Sequence, residues 1–120
     1  MSGHNAAKEL TQADYDIADP GHQGTIESPS IQGGVVSLVT ADAETRSLAN
    51  PARAGLVITL ALQTDGGDCV VTAASAVNQA GNNTLTLADA GDEVALKSIR
   101  VGSSFAYRVA SNDGVALSTV

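Results

Sequence analysis

Apolar and polar positions alternate one for one along much of the chain after residue 31, and this period of two predicts β-strands. In "GLVITLALQT", Leu56, Ile58, Leu60 and Leu62 share one parity, and Val57, Thr59, Ala61 and Gln63 take the other. A helix would spread those leucines around its circumference, so a strand with a buried leucine face is predicted. "GGVVSLVT" is a compact apolar run behind a glycine pair, and "NTLTLA" sets Leu85 and Leu87 against Thr84 and Thr86. "SFAYRVAS" puts Phe105, Tyr107 and Val109 opposite Arg108, and "VALSTV" follows the turn "SNDG". Before "DCVVTAA", the stretch "TDGG" can supply at Asp65-Gly66 and Gly67 the positive φ that a hairpin needs.

Two stretches depart from plain alternation. In "EVALKSIRV", Val94 and Leu96 share one parity while Ile99 and Val101 share the other, which predicts a β-bulge between Leu96 and Ile99. "TADAETRSLANPARAG" is the longest connection, with room for a short strand from Thr45 to Leu48 before Pro51 interrupts pairing. Seven or eight short strands punctuated by Gly, Asn and Asp are the signature of an all-β domain. The predicted fold is an antiparallel β-sandwich or jelly roll over residues 31–120.

The first 30 residues differ. They hold both histidines, two of the three prolines, and few large apolar side chains without sustained periodicity. Such a segment cannot bury enough surface to offset its ordering entropy. It is predicted to be an extended N-terminal arm over residues 1–30, ordered against a partner through Leu10, Tyr15, Ile17 and Ile26.

Composition narrows the chemistry. Aromatic residues make up 2% of the 120 residues, so the core must be built from Val, Leu, Ile and Ala. Thirteen acids against six cations give a net charge of −7, which argues against a nucleic-acid binder. Five acids and one lysine give the arm −4, and eight acids against five cations leave the body at −3. No apolar run is long enough to cross a bilayer and no signal-peptide core is present, so assembly in a cytosol is expected.

Candidate sites are few. Asp89, Asp92 and Glu93 in "ADAGDE" lie between two strand patterns, where Asp and Gly suit a turn better than a calcium loop; "TDGGD" reads the same way. His4 and His22 lack partners at zinc spacing, and the body has no histidine for a triad or a Cys–His pair. Cys69 sits in an apolar run and reads as a small buried hydrophobe. Neither an enzyme nor a metal or other cofactor is expected. Arg46 and Arg53 bracket the irregular "SLANPARAG" and are candidates for docking an acidic partner.

The run from "LANPARAGLVITLALQTDGGDCVVTAASAVNQ" through "AGNNTLTLADAGDEVALKSIRVGSSFAYRVASNDGVALS" resembles domains of tailed-bacteriophage structural proteins, over about residues 44–118. The resemblance implies a small β-sandwich or jelly roll without catalytic residues. It further implies a capsid decoration (cement) protein in the virion, made in the host cytoplasm, that binds the major capsid protein as a homotrimer. The alternative is a receptor- or carbohydrate-binding domain displayed on the phage head or tail, for which only Phe105 and Tyr107 could serve as aromatic platforms.

Overall fold

The computed structural model of the protein describes residues 16–29 and 32–120. Among these residues there are ten strands and no helix. They are β1 (Asp16–Ile17), β2 (Gly24–Ile26), β3 (Gly33–Val39), β4 (Glu44–Leu48) and β5 (Val57–Thr64). β6 (Cys69–Ala73), β7 (Thr84–Leu87), β8 (Glu93–Val101), β9 (Ser104–Asp113) and β10 (Ala116–Ser118) follow. The strand patterns of the sequence after residue 31 thus all become strands, including the short one before Pro51. Leu56, Ile58, Leu60 and Leu62 are all fully buried, as their alternation predicts.

Two mixed five-stranded sheets result, ordered β1-β3-β5-β8-β9 and β10-β7-β6-β4-β2. Their inner rows form one aliphatic core. Val36, Leu38, Leu60 and Leu96 of the first sheet join Leu48, Val71, Leu85 and Leu87 of the second in a single cluster. At about 1.5–3 kcal/mol for each fully buried leucine or valine, these rows are the main stabilising term.

The expectation of antiparallel pairing is corrected. From β1 to β6 the chain changes sheet at every connection, so strands two apart in sequence become neighbours and run parallel. β1 pairs with β3, β3 with β5, β2 with β4 and β4 with β6 in this way. Only β5–β8, β8–β9, β6–β7 and β7–β10 are antiparallel. A jelly roll is built from antiparallel Greek keys and does not contain this winding. Alternation reports which face of a strand is buried and is silent on the direction of its neighbour, which is why the sequence pattern missed it.

"TDGGD" is accordingly a crossing between sheets and no hairpin. The Gly66 backbone does not enter the left-handed region. Glycine is required there because a Cβ on Gly66 would lie 2.2 Å from the Thr40 carbonyl oxygen of the neighbouring β3–β4 connection. Thr40 Oγ1 accepts from Gly66 N at 3.0 Å and donates to the Gly67 carbonyl at 2.7 Å, so the two connections are knitted together.

The predicted bulge between Leu96 and Ile99 is also corrected. β8 pairs without interruption through Lys97↔Arg108, Ser98↔Tyr107 and Ile99↔Ala106. The parity conflict is resolved by burying Ser98, whose hydroxyl accepts from Leu56 N at 2.7 Å, while Ile99 takes the opposite face. A bulge does occur in this pair, but on β9: Ala95 pairs with Ser111 and Leu96 with Val109, leaving Ala110 as the extra residue.

Residues 16–29, placed by the sequence in an arm docked on a partner, instead form a strap on their own domain. β1 adds to the edge of the first sheet and β2 to the edge of the second. Ile26 is 1% exposed and belongs to the core cluster, with Ile17 packed against it. Few apolar residues suffice here, because main-chain pairing and an ion pair supply the rest of the attachment. Leu10 and Tyr15 lie outside the described residues.

Candidate functional site

Arg46, expected to meet an acidic partner, is instead buried at 2% exposure in the middle of β4, where it pairs with Val71 of β6. Its Nε and Nη2 donate to the two Asp19 carboxylate oxygens at 2.8 and 3.0 Å, a bidentate pair. Nη1 donates to Glu44 Oε1 at 2.9 Å, and Nη2 donates also to the Val39 carbonyl at 3.1 Å. Asp19 in turn accepts from the backbone N–H groups of Val39 and Gly21. One guanidinium therefore ties the strap to both β3 and β4. Burial alone would push the Asp19 carboxyl up. The Arg46 hydrogen bonds, those of Val39 and Gly21, and the Arg46 charge outweigh it and hold the carboxyl below its ordinary range. The Ala41 N–H, then Arg46, lowers Glu44 likewise, and Arg46 is held firmly charged.

The Arg46 cluster is a structural clasp with no open coordination or reacting group. Sequence gives no signal for it, since a buried arginine on an alternating strand has the same letter pattern as a solvated one. Arg53 lies exposed in the β4–β5 connection, away from β4's buried clasp in the chain. Ile26 is buried in the domain's own core and Ile17 packs, partly buried, against it.

The acids of "ADAGDE" hold a turn. Asp92 Oδ2 accepts from Ala88 N and Asp89 N at 3.0 Å each, and Asp92 N donates to the Asp89 carbonyl. Among the described residues no group of three or more potential ligands is placed to hold a metal ion. Cys69 is buried, and burial pushes its thiol up, away from nucleophilic thiolate.

Of the two candidate aromatic platforms, Tyr107 is 2% exposed and part of the core. Its Oη has no hydrogen-bond partner among the described residues, and burial pushes the phenol up to about 12; the Ser28 hydroxyl opposes that shift without reaching hydrogen-bonding geometry. Phe105 is only half-buried, beside a hollow near the tip of the β8–β9 hairpin.

The outer face of the first sheet is the other open feature. Val35 on β3 and Val57 on β5 are both exposed, on adjacent strands paired through Gly33↔Val57 and Val35↔Thr59. Gln32, Gly33, Gly34, Gly55 and Val57 line a shallow depression of about 330 Å³ there. Thr59, Ala61 and Ala95 continue this face with small, half-buried side chains. No protein-family model matches the chain, and no curated protein or solved structure matches it either.

Proposed function

We propose that the chain is a structural virion protein of a tailed bacteriophage that decorates and stabilises the capsid. It binds the major capsid protein as an oligomer, a homotrimer by the resemblance of residues 44–118. The observation that carries the reading beyond that resemblance is the outer face of the first sheet. Val35 and Val57 stand exposed beside a shallow depression floored by glycine backbone, a surface that suits the side chains of another protein.

The test uses the full chain and capsids that lack it. Cosedimentation is expected to saturate at a fixed ratio of decoration subunits to capsid subunits. Val35→Glu combined with Val57→Glu is expected to leave folding intact and to reduce occupancy at least tenfold. Undiminished binding by this double variant would remove the sheet face from the contact, and absence of binding by the native chain would overturn the reading itself.

A further inference from the structure

The positive charge of this acidic chain is unevenly placed. Apart from Arg46 in its clasp and the exposed Arg53, the cations among the described residues are Lys97, Arg100 and Arg108, all on the β8–β9 hairpin. No acid occurs between Glu93 and Asp113, the pair at the hairpin's open end. Val101↔Ser104 closes the other end through Gly102 and Ser103, roughly 25 Å from that pair at the usual strand rise.

The arrangement breaks a local rule. Lys97 and Arg108 stand directly opposite each other in the ladder, where like charges destabilise pairing. Neither Lys97 nor Arg108 has a carboxylate within ion-pair distance among the described residues. Arg108 uses Nη1 on the Ala76 and Tyr107 carbonyls, at 2.7 and 3.1 Å, leaving Nε and Nη2 with no described partner. Rules of this kind are broken in native proteins chiefly where a site compensates.

Beside these cations lies a hollow of about 220 Å³, lined by Ser75, Ala76, Val101, Ser104, Phe105 and Arg108. It brings together a half-buried aromatic ring, two hydroxyls and a guanidinium with free donors. The Arg100 guanidinium lies 4.9 Å from the centre of the Phe105 ring, which fixes the ring's orientation and adds charge at the rim. An apolar ring wall suits the C–H face of a sugar, and serine hydroxyls with arginine donors suit its oxygens. The uncompensated cations add a requirement for negative charge.

We infer that this hollow is a binding site for an acidic saccharide, a hexuronic acid or a similar carboxylated sugar. The carboxylate is met by Arg108 and the ring is packed on Phe105. The hollow shares no lining residue with the depression beside Val57, although Lys97 pairs with Val57, and the inference does not rest on the capsid reading.

The test is nuclear magnetic resonance titration of the ¹⁵N-labelled full chain with galacturonate, galactose and acetate in turn. Saturable shifts at millimolar galacturonate are expected, confined to residues 75–76 and 100–108, with galactose and acetate each at least tenfold weaker. Raising the salt concentration is expected to weaken galacturonate binding, because exposed charges are screened over about 10 Å at 0.1 M. Phe105→Ala and Arg100→Gln, both outside the core cluster, are expected to lose binding at least fivefold while keeping the native spectrum elsewhere. Acetate equal to galacturonate would reduce the hollow to an anion spot, and galactose equal to it would remove the charge requirement; either overturns the inference. So would an absence of shifts. Loss of capsid binding by the same two variants, without saccharide shifts, would assign the patch to an acidic protein surface instead.

Discussion

The two halves of the domain solve the same problem differently. From β1 to β6 the strands are parallel neighbours joined by sheet crossings, and the half closes with a buried, fully partnered charge at Arg46. From β7 to β10 every pairing is antiparallel, only β8–β9 joins neighbours by a direct turn, and the half holds Tyr107 Oη, a buried polar atom without a partner among the described residues. Parallel crossings leave backbone and side-chain polar groups to be satisfied at a distance, so one residue with five donors gathers them. Local turns satisfy their own groups and need no such residue.

The sharpest way to break the first half is Asp19→Ala. It leaves the Arg46 guanidinium buried without its bidentate partner, which costs about 3 kcal/mol, and thermal unfolding is expected to fall by more than roughly ten degrees. The pH dependence has a definite sign. Because the folded-state Asp19 carboxyl is depressed, its contribution is fully present above the ordinary carboxylate range. It is lost as pH falls through the depressed folded value. The native chain should therefore lose stability on acidification, and the Asp19→Ala variant should show a flatter acid limb in the same melting series.

Glycine separates the halves at the next magnitude. A Cβ at Gly66 meets the Thr40 carbonyl and must displace backbone, whereas one at Gly102 (φ +60°) meets open space and incurs only left-handed strain. Gly66→Ala is expected to cost about 2–3 kcal/mol and Gly102→Ala about 1 kcal/mol in urea unfolding. Equal costs would mean that the crossing between β5 and β6 can relax, contrary to its Thr40 hydrogen bonds.

The smallest effect lies in the second half. Tyr107→Phe removes a buried hydroxyl that has no partner among the described residues and keeps the ring in the core, so it is expected to be neutral or to stabilise by up to about 1 kcal/mol. Destabilisation by more than that would indicate that the hydroxyl is hydrogen-bonded in solution.

The sequence made legible whatever depends on one strand and its two faces. The leucines from Leu56 to Leu62 and the turn held by Asp92 belong to this class. It left illegible whatever depends on which strand lies alongside. The winding of β1 to β6, the burial of Arg46 and the place of Ile26 in the core are properties of neighbours far apart in sequence. A strand of two or three residues, such as β1 or β2, is shorter than any period that could announce it. The same limit applies to the hairpin site. The letters do not say which cations face each other, and only the register Lys97↔Arg108 shows it.

The winding also sets a kinetic order. Asp16 meets Val35, Gly33 meets Val57 and Glu44 meets Cys69, so each parallel pair requires a loop of roughly 19 to 25 residues to close. The β8–β9 hairpin can form on its own within about 1–10 μs. Domains dominated by distant pairings take milliseconds to seconds. On a ribosome the parallel half emerges first, carrying "VVSLV" and "VITLAL" as unpaired apolar strands, while the fast-forming hairpin arrives last. The half of the chain that is made first is the half that has to wait.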